Sequence, residues 1–125
     1  MIVSIGTDII EVYRIRETME RTPRFSERIF TEHERAYCES KGAASAQSYA
    51  ARFAAKEAFA KACGTGLRAP VMLSNISVLN DELGRPYFVL AAELQHWIEQ
   101  RGIISYHLSL SDERSLSSAV VVFEK

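Results

Sequence analysis

Long apolar runs are missing from this chain, and with them any segment suited to crossing a membrane as a helix. Cysteine is scarce. Cys38 and Cys63 stand in no metal-ligand or disulfide spacing, which excludes a cysteine-built zinc module or disulfide scaffold and fits a reducing compartment. Excess charge of either sign is also absent, and a net charge of -1 argues against a general nucleic-acid binder. No repeat, low-complexity tract or linker-like stretch is found. Met1 opens directly into IVSIG with no basic leader, so the expected location is the cytoplasm. What is present is ordinary for a folded protein: 47% hydrophobic and 25% charged residues over 125 positions, enough for one domain with a real core.

The chain is organised around residues 52–66, RFAAKEAFAKACGTG, which read as the second half of a long helix ending in a glycine-rich turn. At 3.6 residues per turn, Tyr49, Phe53, Ala60 and Cys63 form one apolar stripe. Glu57 and Lys61 fall on another, flanked by Ala50, Ala54 and Ala58. Two readings stand: an ordinary i,i+4 ion pair on a solvated face, or two charges kept for a purpose where another surface comes close. Gly64 suits the left-handed position that stops a helix, and Gly64, Thr65 and Gly66 expose backbone N–H groups that suit a phosphate.

Residues 2–8 read as a strand with Val3, Ile5, Thr7 and Ile9 on one face and Ser4, Gly6 and Asp8 on the other. The small, polar face leaves room for something to approach the backbone at Gly6. Asp8 with Glu11 fits a capping box for a helix over residues 10–21, and Asp8 equally fits a metal ligand. Ile10, Tyr13, Ile15 and Met19 are the expected apolar side of that helix, and Thr22-Pro23 the start of a second short one. Arg14, Arg24 and Arg28 stand among glutamates, as on a solvated, salt-bridged surface or one that meets an acidic partner. Thr31 and Glu34 form a further capping box, and Lys41-Gly42 separates its helix from the long one over residues 43–63.

The second half turns to strands. Residues 75–79 and 86–90 flank a hairpin loop, with Pro86 at a strand start; residues 91–101 are helical, with Leu94, Trp97 and Ile98 inward. Residues 104–111 alternate, which sends Ile104, Tyr106, Leu108 and Leu110 to the core and Ser105, His107, Ser109 and Ser111 to the other face. His107 in that row of hydroxyls suits an anionic ligand or simple solvation. A valine-rich last strand over residues 116–123 reads as buried. The expected fold is one α+β domain, an antiparallel sheet packed on one long helix and shorter helices.

Taken together, GTDIIEV, RFAAKEAFAKACGTG, NDELGRP and the terminal SYHLSLSDERSLSSAVVVFE resemble holo-acyl carrier protein synthase, the small phosphopantetheinyl transferase of bacterial fatty-acid synthesis. The resemblance spans nearly the whole chain. It implies transfer of the 4′-phosphopantetheine arm of coenzyme A to a serine of apo-acyl carrier protein, with release of adenosine 3′,5′-bisphosphate. It also implies a homotrimer with active sites at subunit interfaces.

By the same resemblance Asp8 and Glu57 hold Mg²⁺, and Lys61 completes the catalytic set by holding a phosphate oxygen or relaying the serine's proton. The set expected to bind coenzyme A is Arg52, Lys61, Gly64, Thr65, Gly66, Pro86, His107 and Ser109. Arg52 lies roughly opposite Glu57 on the helix, so it reaches only a site that a neighbouring subunit helps to build. Arg14, Arg24 and Arg28 match positions that dock the acidic carrier protein, and Glu11 takes a capping or supporting part. Two other classes fit part of the pattern. One is a Mg²⁺-dependent nucleotide pyrophosphatase using Asp8 and Glu57 with water as nucleophile. The other is a non-catalytic module that binds carrier proteins through its arginines.

Overall fold

The structure is a computed structural model and describes residues 1–125. Its long helix forms where alanine dominates, since alanine is the best helix former. We number the elements in chain order: β1 (Ile2–Glu11), α1 (Val12–Arg21), α2 (Phe25–Ile29), α3 (Glu32–Glu39), α4 (Ser45–Cys63), β2 (Ile76–Asn80), β3 (Pro86–Leu90), α5 (Ala92–Gln100), β4 (Ser105–Asp112) and β5 (Leu116–Glu124). Short 3₁₀ turns at Gly42–Ala44 and Leu73–Asn75 precede α4 and β2. The strands form two antiparallel sheets, β1-β5-β4 and the hairpin β2-β3. The architecture is α+β as expected, with α4 against the inner face of the larger sheet and the hairpin flanking it.

The small face of β1 is what lets α4 settle there. A Cβ on Gly6 would lie 1.9 Å from the carbonyl oxygen of Ala58 and 2.8 Å from the nitrogen of Ala62. The surface that approaches Gly6 is therefore this chain's own helix. Ser4 reinforces the contact by donating from Oγ to the Ala62 carbonyl at 2.7 Å. Ala54, Ala55 and Ala58 are fully buried in the main core with Phe59, Val121 and Phe123. A second core joins Val12, Ile15, Phe30, Cys38, Tyr49 and Ala50 beneath α1, α2 and α3.

Several boundaries shift, each for a local reason. β1 continues to Glu11, pairing Ile10 with Ser117 and Glu11 with Leu116, so no Asp8–Glu11 capping box forms. The later start of α1 changes its phase: Val12 and Ile15 are buried while Tyr13 turns outward. Thr22 ends α1, and α2 begins only at Phe25. Ile104 precedes β4 and is exposed, with Ile103 buried in its place. The valines of β5 alternate: Val121 is buried, whereas Val120 lies on the outer face with the exposed Val3, Ile5 and Ile9 of β1. The Thr31–Glu34 capping box forms in full, and Gly64 takes the left-handed conformation (φ 77°) that ends α4.

Sequence reasoning missed a charged pair in the interior. Lys56 and Glu34 are both fully buried, with Lys56 Nζ 2.7 Å from Glu34 Oε1. Lys56 also donates to the carbonyls of Ile29 and Leu73. Glu34 accepts from the backbone nitrogens of Thr31 and Val78. Burial lowers the Lys56 pKa, and the Glu34 carboxylate opposes that shift. The pair joins α2, α3, α4 and the hairpin around one satisfied polar centre, and only its capping half was visible in the sequence.

Candidate active site

Asp8 and Glu57, far apart in sequence, line one cavity of about 430 Å³ with Glu11, Arg14 and Phe53. β1 delivers Asp8 because its small face lies on α4, and α4 delivers Glu57 one turn before Lys61. Burial and then the Asp8 charge raise the Glu57 pKa, with Lys61 acting against them. Two carboxylates lining one partly buried cavity, one of them with its charge disfavoured by burial and by its neighbour, can serve as oxygen donors for a cation. Oxygen donors of this kind suit a hard ion such as Mg²⁺, which commonly takes one or two carboxylates and completes its shell with phosphate oxygens and water.

Lys61 does not make an ordinary pair with Glu57. Its Nζ donates to Asp8 Oδ1 at 3.1 Å and to the Thr7 carbonyl at 3.0 Å, bridging helix to strand. The Asp8 side chain is 16% exposed and that of Lys61 55%, so the ammonium remains open to a ligand. Gly64, Thr65 and Gly66 follow at the end of α4; Gly66 also has a positive φ (71°), and a Cβ on either glycine would meet nothing. These two glycines serve backbone conformation, unlike Gly6, which serves close approach.

A second cavity, of about 660 Å³, contains Arg52, Pro86 and Ser109. It also contains Lys41, Arg85 and Asn80, which sequence reasoning did not single out as site residues. Arg52 is only 5% exposed. Its guanidinium stacks on the Tyr37 ring at 4.1 Å and donates to Ser48 Oγ and Asn80 Oδ1. Its Nε is buried without a partner in the protein. A buried cation with an unsatisfied donor, near Lys41 and Arg85, suits an anion.

Within one chain, then, the expected site residues fall into separate groups. Asp8 and Glu57 line one cavity, with Lys61 bonded to Asp8, while Arg52, Pro86 and Ser109 line the other, as the helix wheel required of Arg52. His107 lines neither: its Nε2 lies 2.6 Å from Glu124 Oε1, a hydrogen bond that lowers the Glu124 pKa. Arg14 borders the carboxylate cavity and pairs with Glu11 at 3.1 Å. Arg24 lies 3.9 Å from Glu27, and Arg28 is exposed without an ion pair.

Comparison with known proteins identifies the family. Residues 4–119 match the family described as the 4′-phosphopantetheinyl transferase superfamily. A holo-[acyl-carrier-protein] synthase of Nitrosomonas eutropha is 50% identical over 127 aligned positions, covering 100% of both chains. The crystal structure of holo-[acyl-carrier-protein] synthase from Neisseria meningitidis superposes with a TM-score of 0.93 at 43% identity, covering 100% of each chain. The Bacillus anthracis synthase in complex with CoA (3′,5′-ADP) superposes with a TM-score of 0.80 at 40% identity, covering 98% of this chain and 96% of that one. With its fold and its full-length likeness in accord, the chain belongs to the holo-[acyl-carrier-protein] synthase family of the 4′-phosphopantetheinyl transferases.

Proposed function

We propose that this enzyme transfers the 4′-phosphopantetheine group of coenzyme A to a serine of apo-acyl carrier protein, releasing adenosine 3′,5′-bisphosphate, for fatty-acid biosynthesis. Beyond the family likeness, the observation that carries this reading is that Asp8 and Glu57 line one open cavity, with Lys61 bonded to Asp8 beside it. In the reaction the serine oxygen forms a bond to the β-phosphorus of the pyrophosphate, the bond from that phosphorus to the bridging oxygen breaks with its electron pair leaving on the 5′-phosphate of adenosine 3′,5′-bisphosphate, and the serine's proton passes to solvent, directly or through Lys61.

Asp8 and Glu57 are the residues that would hold Mg²⁺. When bound there, the ion supplies charge neutralisation at the pyrophosphate. Lys61 Nζ already donates to the Thr7 carbonyl and to Asp8 Oδ1 and stays open to a ligand, which suits it to hold a phosphate oxygen or to relay the serine's proton. Arg52, Pro86 and Ser109, in a cavity with Lys41 and Arg85, take the nucleotide end of coenzyme A. His107, Gly64, Thr65 and Gly66 remain candidates for further phosphate contacts.

The two half-sites lie on different sides of α4, so a complete site combines the carboxylate cavity of one subunit with the cationic cavity of another. The homotrimer accounts for this, and the exposed Val3, Ile5, Ile9 and Val120 supply an apolar face for its subunits to share. Arg14, Arg24 and Arg28 receive the acidic carrier protein beside the carboxylates. No helix is long and apolar enough to cross a membrane, and we place the enzyme in the cytoplasm with its substrates.

The test is incubation with coenzyme A, Mg²⁺ and apo-acyl carrier protein, followed by the mass of the carrier. A mass gain of one phosphopantetheine, lost when Mg²⁺ is chelated, is expected. Release of free 4′-phosphopantetheine without carrier would mark a hydrolase instead.

A further inference from the structure

Arg52 has its orientation imposed by a residue from another element. Asn80 closes β2, and its side-chain amide faces two ways. Oδ1 accepts from Arg52 Nη2, and Nδ2 donates to the Gly84 carbonyl at 3.0 Å. Both contacts border the larger cavity, which contains Arg52, Gly84, Arg85 and Pro86 together with Asn80 itself. One amide thus sets the guanidinium and the hairpin turn against each other. β2 is anchored in turn, because the backbone nitrogen of Val78 donates to the buried Glu34 carboxylate at 2.9 Å.

The chemistry of an amide is apt here. An aspartate at this position would also accept from the guanidinium, but it would cancel the positive charge and repel the Gly84 carbonyl. Asn80 holds the guanidinium by a neutral acceptor and leaves its charge for an anionic ligand. Together with the unpartnered Arg52 Nε, this points to a cation oriented in advance.

We infer that Asn80 is a positioning residue for the donor substrate: tied to the hairpin turn through Gly84, it fixes Arg52 so that the guanidinium meets a phosphate of coenzyme A. The inference rests on the reading that this cavity binds coenzyme A.

The experiment measures steady-state kinetics for Asn80→Ala, Asn80→Asp, Arg52→Ala and the Asn80→Ala/Arg52→Ala pair, with thermal melting as the check on folding. Asn80→Ala is expected to raise KM for coenzyme A roughly tenfold while kcat and KM for carrier protein stay near wild type. Asn80→Asp, nearly the same shape, is expected to raise it as well, because charge is at stake and not only packing. In the Arg52→Ala background the Asn80→Ala substitution is expected to add less than about twofold, since it acts through the missing guanidinium. Wild-type KM for coenzyme A in Asn80→Asp, or full multiplication of the two alanine effects, overturns the role of Asn80. An unchanged KM in Arg52→Ala instead refutes the assignment of the cavity to coenzyme A, and the inference falls with it. Should Asn80→Ala fail to fold, Asn80→Asp alone decides.

Discussion

Gly6→Ala is the smallest change with the largest expected consequence. The added Cβ would lie 1.9 Å from the Ala58 carbonyl oxygen, whereas ordinary contact begins at 3.4 Å. Strand and helix must therefore separate by about 1.5 Å, and the obstacle is backbone, which no change of rotamer relieves. Overpacking typically costs 1–3 kcal/mol, and a backbone collision belongs at about 3 kcal/mol or above. For a domain of this size that lowers Tm by roughly 10 °C or more. Asp8 follows two residues later on the same strand face, so it moves with the strand while Glu57 and Lys61 stay on α4. A misplacement of this order costs about a hundredfold in turnover. The assays are differential scanning calorimetry and transfer kinetics measured well below the lowered Tm. Ala58→Gly in the same chain is not expected to restore either quantity, because the clash is with the carbonyl and not the methyl group. A Gly6→Ala enzyme that melts within about 2 °C of wild type and turns over normally refutes the argument that this glycine exists for close approach.

Asp8→Asn and Glu57→Gln are each expected to abolish transfer, Glu57→Gln with Tm unchanged or raised because its charged form is disfavoured by burial and by Asp8; near-normal turnover in Mg²⁺ would sink the shared cation site. Lys56→Met strands the buried Glu34 carboxylate and is expected to cost about 3–5 kcal/mol in urea unfolding, part of it regained when Glu34→Gln is added. Arg14→Ala, or Arg24→Ala with Arg28→Ala, is expected to raise KM for carrier protein at low salt, to lose that effect at high salt, and to spare KM for coenzyme A; equal use of carrier protein at low salt would place the docking surface elsewhere. Burial pushes the Cys63 thiol up to about 12, and thiolate is then only about one part in ten thousand at pH 8. Alkylation of the native protein by iodoacetamide at that pH is therefore expected to be negligible, rising only as pH climbs towards that value, whereas in urea both Cys63 and the buried Cys38 react quickly.

How much of this was legible beforehand depended on whether the signal was local. The Thr31–Glu34 box and the stop at Gly64 are written in adjacent residues and form where expected, as does the hairpin, whose loop shifts by one residue because Asn80 still pairs with Pro86. The end of β1 is different. Asp8 and Glu11 carry a sound local capping pattern, but pairing with Ser117 and Leu116 holds that stretch in the strand, and such partners are not visible at the position itself. Burial is also non-local: Glu34 reads as a surface cap until Lys56 arrives from another helix. The carboxylates could be nominated from residue type and resemblance, but their meeting depends on how β1 lies on α4. Asn80 looked like turn punctuation because its second partner, Arg52, lies 28 positions away.

α4 carries residues of both proposed half-sites on one continuous rod, and this has a consequence for how its gene can change. Arg52 and Glu57 are separated by about 7.5 Å along the axis and about 140° around it, values dictated by helical pitch alone. Inserting a single residue between them would lengthen the rod by only about 1.5 Å but would turn one half-site about 100° relative to the other. A seven-residue insertion would nearly restore the angle while adding about 10 Å. Neither leaves both the spacing and the bearing intact. The segment between the two residues is therefore closed to insertion and deletion in a way that the hairpin tip is not, and length variation compatible with turnover belongs in the loops.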